Sequence, residues 1–518
     1  MRAGSALRVR PGPRTPEDPP HTGRDVTNPT APARALVAGV DSSTQSCKVE
    51  LRDAASGALV ATGSAAHPPV TPPASEQDPR AWWDAFVSAF REARSAAALG
   101  DRVIAISVAA QCHGLVALDS AGEPVRAAKL WNDTTSAEQM TRLLDTIGRE
   151  RFVRATGTLP TAAFTISKLA WLAEHEPENF ARTRTVLLPH DYLTFRLTGE
   201  RVTDRSDASG TGYYDAAHGR YLPEFLAHID PDRAWDAMLP RVAHPDEAAG
   251  TVHAEALGAL GIAGTVLVGA GGGDQHAAAL GLGLQSGDVA YSFGTSGVVS
   301  ALSADPTFDL SGDVDGVSDM TGGYLPISST LNAAKVTDAF ARILGVGHAE
   351  LDALAMSAPL DRNGPVLAAY LDGERTPNLP NAVGILSGIR TDSTREEVAR
   401  AAYEGVVLGL IAAHRAIARE GVDTSADVIA LGGGARSSSY PQLLADLLGR
   451  PVHRTDAEEA TARGGAVQAA AVATGRSVAE VRTAWAPARE VIASPREIDR
   501  DPAAAYAATA AVRTLDDA

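Results

Sequence analysis

Leu36-Val37-Ala38-Gly39-Val40-Asp41-Ser42-Ser43-Thr44-Gln45-Ser46-Cys47-Lys48-Val49-Glu50-Leu51 decides the fold class of this chain. Leu36 to Val40 is a short apolar run, Asp41 to Ser46 is a polar turn, and Cys47 to Leu51 alternates between faces. A second turn at Asp53 to Gly57 leads into another strand-like run, Leu59 to Thr62. The reading is strand, hairpin, strand, turn, strand. A Rossmann or P-loop unit would pass from its first strand through a glycine-rich turn straight into a helix, so both are disfavoured.

Outward from this hairpin the chain continues as α/β. Pro79 to Ala98 carries Trp82, Trp83, Phe86, Val87 and Phe90 at helical spacing, and Val103 to Ala109 reads as a buried strand. The second half repeats the plan: strand Asp288 to Phe293, tight turn Gly294-Thr295-Ser296-Gly297, strand Val298 to Leu302, strand Tyr324 to Ser328, helix Asn332 to Leu344. Asp427 to Leu431 is another strand. It is followed by Gly432-Gly433-Gly434 and by Tyr440, Leu443, Leu444, Leu447 and Leu448 on one helical face, with Gly449 placed to end that helix. Two strand-rich units, each opening on a hydroxyl-bearing hairpin, suggest a duplicated fold.

With 518 residues the chain is long enough for two large domains, and 45% hydrophobic content suits large cores. A formal charge of −17 argues against nucleic acid as a partner, because phosphate backbones require clustered Lys and Arg. The two cysteines, Cys47 and Cys112, form no disulfide framework and fit a reducing cytoplasm. Gly, Asp and Arg interrupt every apolar run that would span a membrane. Residues before Ala35 are rich in Pro, Arg and Thr without periodicity and read as a disordered leader. The chain has no paired CxxC, no HExxH and no GxSxG, so zinc and acyl-transfer chemistries lack support.

Several segments can carry chemistry. Asp41 with Ser42, Ser43 and Thr44 can hold phosphate oxygens on hydroxyls and backbone N–H groups, and Mg²⁺ through water, or it can be a plain polar turn. Gly294-Thr295-Ser296-Gly297 has the same two readings. Gly271-Gly272-Gly273-Asp274 follows an apolar run and precedes a helix, as strand, flexible loop, Asp, helix. Asp274 there is either a helix N-cap or a carboxylate at a strand's carboxyl end that accepts a proton from a substrate hydroxyl. Gly432-Gly433-Gly434 at a strand-to-helix junction can let an adenosine lie on the backbone, or can be just a tight connection. Gln111-Cys112-His113-Gly114 puts His113 where it can hydrogen-bond a polyol or serve a structural role, and Leu130-Trp131-Asn132-Asp133 offers either an aromatic face beside an amide and a carboxylate or a core Trp at a loop edge.

In this order the segments resemble the FGGY carbohydrate kinase family, within the superfamily of sugar kinases, Hsp70 and actin. The resemblance rests on Val40-Asp41-Ser42-Ser43-Thr44, Glu76-Gln77-Asp78-Pro79, Gln111-Cys112-His113-Gly114, Leu130-Trp131-Asn132-Asp133 and Leu188-Pro189-His190-Asp191. It continues through Ser206-Asp207-Ala208-Ser209-Gly210-Thr211, Gly272-Gly273-Asp274-Gln275, Ser292-Phe293-Gly294-Thr295-Ser296-Gly297, Leu371-Asp372-Gly373-Glu374-Arg375-Thr376-Pro377 and Gly432-Gly433-Gly434-Ala435-Arg436-Ser437.

The resemblance implies two ribonuclease-H-like domains with an interdomain cleft: a sugar-binding domain over 35–285 and a nucleotide-binding domain over 286–480, between a leader over 1–34 and a partly helical tail over 481–518. It implies ATP and Mg²⁺ as cofactors, a small sugar as substrate, a cytoplasmic enzyme and a homodimer. Asp274 is then the general base. Gln111, Cys112, His113, Trp131, Asp133, Asp274 and Gln275 face the sugar. Asp41, Ser43, Thr44, Gly294, Thr295 and Ser296 face the phosphates, and Gly433, Gly434 and Ala435 lie under the adenosine. Mg²⁺ is held by Asp41 through water and by Asp274. The substrate implied is D-xylulose, phosphorylated to its 5-phosphate; ribulose, fuculose, gluconate or glycerol, and a non-catalytic ATP-binding role, are the alternatives. Three departures lie near the sugar: Cys112 where Met is common, Thr134-Thr135 where a Gly-Arg pair is common, and His276 where Ala is usual.

Overall fold

The computed structural model describes residues 34–360, 363–498 and 500–512. The expected leader over 1–34 therefore lies almost wholly outside the described residues. The opening hairpin forms as read and is longer: strands Ala35–Ser42 and Ser46–Asp53 pair antiparallel, and Leu59–Ala66 pairs antiparallel with the second. Asp41 and Ser42 belong to the first strand rather than to the turn, because the ladder with Lys48 and Cys47 extends through them. Strand Arg102–Ala110 then lies parallel to Ala35–Ser42, and Leu267–Gly269 lies parallel to it in turn.

The second half repeats this connectivity. Strands Val289–Phe293, Gly297–Ala301 and Tyr324–Thr330 pair antiparallel in sequence, and Val428–Leu431 and Val452–Thr455 continue the sheet in parallel. Each sheet has seven strands, with the first strand of each half at the switch from antiparallel to parallel pairing. A shared strand order across two halves of weak sequence similarity is the duplication expected from the hairpins. The ends of the chain add something the sequence reading missed. Arg489–Ala493, within the expected tail, is an edge strand antiparallel to Val452–Thr455. Helix Pro502–Ala510 supplies the helical part.

The longest helix, Arg395–Arg419, has 25 residues and an apolar window that is 78% buried. Length and composition alone would let it cross a membrane, but in the fold it is the core helix of the second half.

Helix Ala460–Thr474 positions the site, although it follows the second half's strands. It packs on the first sheet and crosses helix Asp274–Gly281, joining Ala466, Val467 and Ala470 to Val37, Ala105, Ala109, Ala277 and Leu280 in one cluster. The crossing works because side chains are missing. A Cβ on Gly464 would stand 1.9 Å from the Ala277 carbonyl oxygen, and one on Gly39 would stand 1.8 Å from that of Ala462. Gly464→Ala is therefore expected to destabilise the fold by roughly 1–3 kcal/mol, since backbone faces backbone and neither yields cheaply. A lower denaturant midpoint checks this. Gly258→Ala is the control, having no atom within 4 Å of the added carbon, and is expected to be neutral or stabilising.

Candidate active site

Sheet register sets the two central carboxylates side by side. Asp41 on strand Ala35–Ser42 lies opposite Ala109 of the neighbouring strand, and Gly272 pairs with Ala109 from its other side. The expected flexible loop before Asp274 is thus partly a strand: Gly272–Gly273 forms a short parallel ladder with Ala109 and Ala110. Asp274 is the first residue of its helix rather than the N-cap, which is Gly273. Its carboxylate therefore stands at a helix N-terminus, where the backbone dipole favours negative charge.

Asp274 Oδ1 accepts from its neighbour's Gln275 N–H at 2.8 Å and from Cys112 Sγ at 3.3 Å. Both bonds fall on the same oxygen. Burial raises the Asp274 pKa above the usual carboxylate value, opposed by the Cys112 hydrogen bond. Asp41 is 8% exposed, and its Oδ1 is buried without a hydrogen-bond partner. Burial and then the charge of Asp274 push its pKa up to about 7, against the pull of Lys48. The two carboxylates line a cleft of about 200 Å³ whose walls come from both sheets: Ser43, Gln275, Ala278 and Thr461 on one side, Ser292, Val298, Ser300 and Leu431 on the other.

Lys48 lies opposite Asp41 in the hairpin and its Nζ meets both Glu459 oxygens at 2.7 and 2.8 Å. Sequence reading left it out, yet it puts a cation beside the cleft. Its alternation with Cys47 on the hairpin's second strand was the available signal.

Among the residues expected at the sugar is His113, the one non-glycine described residue of the chain with positive φ, at 65°. Strain of that kind persists only where surroundings fix it. Here Nδ1 bonds the Gly210 carbonyl at 2.6 Å, the ring stacks on Phe164 at 4.7 Å, and the His113 N–H reaches Asp207 Oδ1 at 3.4 Å. Burial depresses the His113 pKa to about 3, so the ring is neutral; its one proton is on Nδ1 toward the Gly210 carbonyl, and Nε2 is left to accept from a hydroxyl. Trp131 Nε1 donates to Thr44 Oγ1 at 3.0 Å, and Thr44 Oγ1 donates to Gln111 Oε1 at 3.2 Å. Thr44, expected at the phosphates, is thereby tied to Trp131 and Gln111, both expected at the sugar. Gln111 Nε2 is buried without a partner.

One expected sugar ligand is corrected. Asp133 is fully buried, and its carboxylate is occupied by the Ser75 N–H at 2.9 Å, the Thr135 N–H at 3.0 Å and Lys129 Nζ at 3.3 Å. It shapes the loop that presents Trp131 and offers the sugar no oxygen. The Thr135 N–H lies at the spacing of an Asx turn, but the Ser75 N–H, 58 positions away, could not be paired with it from sequence spacing.

The second half supplies the opposite wall. Thr295 and Ser296 are exposed at the tip of the hairpin after Val289–Phe293, and the Gly294 carbonyl accepts from Ala334 N–H at 3.0 Å. Gly433 has open space above its α-carbon, while Gly432 and Gly434 pack against Phe293. Ala435 is 5% exposed and part of the second core, so its methyl faces inward and only its main chain can meet a ligand.

Models of the FGGY family of carbohydrate kinases match this chain twice, the N-terminal domain over residues 36–281 and the C-terminal domain over 289–473. The chain belongs to the FGGY family of carbohydrate kinases. It is 44% identical over 469 residues to a xylulose kinase of Streptomyces rubiginosus, covering 90% of this chain and 93% of that one. A xylulose kinase of Streptomyces coelicolor is 45% identical over 451 residues, covering 87% and 90%. Among solved structures, a xylulose kinase from Bifidobacterium adolescentis superposes with a TM-score of 0.81 at 39% identity, over 93% of this chain and all of that one. As an FGGY kinase the chain uses ATP and a small sugar.

Proposed function

We propose that this chain transfers the γ-phosphoryl group of ATP to the O5 hydroxyl of D-xylulose, giving D-xylulose 5-phosphate and ADP. The observation that carries the reading is the place of Asp274: it touches Cys112 beside His113 on one side and lines the cleft between the sheets on the other. The xylulose kinase names of its relatives supply the sugar.

In this reading Asp274 accepts the hydroxyl proton as the sugar oxygen attacks phosphorus and the ADP oxygen leaves with the bond's electrons. Gln111, His113 and Trp131 orient the sugar. Asp41, Ser43, Thr295 and Ser296 face the phosphates, and Gly433 and Gly434 lie beneath the adenosine. Mg²⁺ fits the donor set. Among the described residues no cluster of three or more His, Cys, Asp or Glu could hold a metal alone, but the unpartnered Asp41 Oδ1 beside Asp274 leaves phosphate and water to complete the shell, as Mg²⁺ prefers. Bound with ATP, Mg²⁺ supplies charge neutralisation on the phosphates. The cytoplasm suits this chemistry and the two cysteines, both buried and free.

An ADP-release assay over D-xylulose, ribulose, fuculose, gluconate and glycerol tests the assignment. The highest kcat/KM is expected with D-xylulose. ADP release with another sugar and none with xylulose would overturn the substrate while leaving the kinase.

A further inference from the structure

Ala270-Gly271-Gly272-Gly273 carries Asp274, and a run of three glycines is the costliest kind of backbone to hold in one conformation. The ladder with Ala109 and Ala110 fixes Gly272 and Gly273. Gly271, at φ 86°, lies beyond that ladder and is buried. Its main chain is met by a side chain from far along the sequence. Gln468, fully buried on helix Ala460–Thr474, accepts the Gly271 N–H on Oε1 at 2.8 Å and donates from Nε2 to the Gly271 carbonyl at 3.2 Å. One amide thus satisfies both polar groups of one glycine, as a neighbouring strand would. Ser107 Oγ donates to the same Oε1 at 2.5 Å and fixes which way the amide faces. The missing side chain at Gly269 admits it, since a Cβ there would lie 2.8 Å from Oε1.

The same helix holds the other end of the segment, where Thr461 Oγ1 donates to the Asp274 carbonyl at 3.4 Å. Thr461 also lines the cleft. Two turns of one helix therefore grip the loop before Asp274 and the residue itself.

We infer that Gln468 is a positioning residue for phosphoryl transfer, holding the glycine segment so that the Asp274 carboxylate meets the sugar hydroxyl. The inference rests on Asp274 as the base. Replacing the amide by an apolar group of like length leaves the Gly271 N–H and carbonyl buried without partners, which favours a shifted loop. A displacement near 1 Å at the reacting group is enough to lower turnover by about 10²-fold.

The test is Gln468→Met in the full-length enzyme, followed by steady-state kinetics and by amide hydrogen exchange of the segment 268–275. The expected result is a kcat lowered by about tenfold to a hundredfold, a KM for ATP within roughly twofold of the parent, and faster exchange in that segment. Unchanged exchange there, or a kcat within about twofold of the parent, overturns the inference. Should Gln468→Met fail to fold, Gln468→Glu, which keeps the acceptor and loses the donor, is measured in the same way. Asp274→Asn is run alongside. If that variant keeps its turnover, the base assignment falls, and exchange over 268–275 still decides whether Gln468 anchors the loop.

Discussion

Asp274→Asn is expected to lower kcat by about 10²–10⁴-fold, the usual contribution of a positioned general base. Asparagine has nearly the same shape and can still accept from Gln275 N–H and Cys112 on its carbonyl oxygen, so the helix start and the sugar pocket are preserved. What it lacks is an oxygen able to take the proton. The residues proposed to face the phosphates, Asp41, Ser43, Thr295 and Ser296, are all left in place, so ATP affinity is expected to stay within roughly threefold. Single-turnover kinetics with ATP and D-xylulose, together with calorimetric titration of nucleotide, separate the two quantities. Near-parental turnover would remove Asp274 from its role and with it the proposed path of the proton.

Asp133→Ala is expected to act on stability instead. Lys129 and Asp133 are 1% and 0% exposed, and Lys129 Nζ also meets Glu76 Oε1 at 3.0 Å and lies 3.7 Å from the Trp171 ring centre. Removing one partner of a buried pair usually costs about 3–5 kcal/mol; Lys129 keeps Glu76 and the Trp171 face, so the loss is expected toward the lower end of that range. Two main-chain donors, at Ser75 and Thr135, would lose their acceptor as well. A fall in thermal midpoint and urea midpoint measures the loss. Had Asp133 met a sugar hydroxyl, the variant would keep its midpoint and raise the KM for the sugar. A result of that kind would sink the structural reading.

The hairpins were legible because local chemistry makes them. Alternating apolar residues and turn formers at Asp41–Ser46 and Gly294–Gly297 specify strand, turn and strand without help from elsewhere. Helix ends followed the same logic, and Gly449 does end its helix in the left-handed conformation at φ 66°. Residues that depend on distant partners were not legible. Nothing near Asp133 announces that Ser75, 58 positions away, would occupy its carboxylate. Gln468 looks like a polar interruption in an alanine-rich helix, and its meaning comes from Gly271, 197 positions earlier. Thr44 was read as part of a phosphate turn, and only the approach of Trp131 and Gln111 shows which partners its hydroxyl takes. Strand Arg489–Ala493 escaped notice because two of its five residues are charged, as is common at sheet edges.

Helix Ala460–Thr474 also bears on how the polypeptide is made. Ribosomes release the first sheet early, but the face formed by Val37, Ala105 and Ala109 is covered by Ala466, Val467 and Ala470, synthesised some 360 residues after Ala105. Until that helix emerges, the nascent chain holds an open apolar surface and a glycine segment with no anchor at Gly271. The Asp274 carboxylate is therefore set in place by a helix whose Gln468 is translated 194 residues after it, and a product truncated before Ala460 would lack both the cover and the grip.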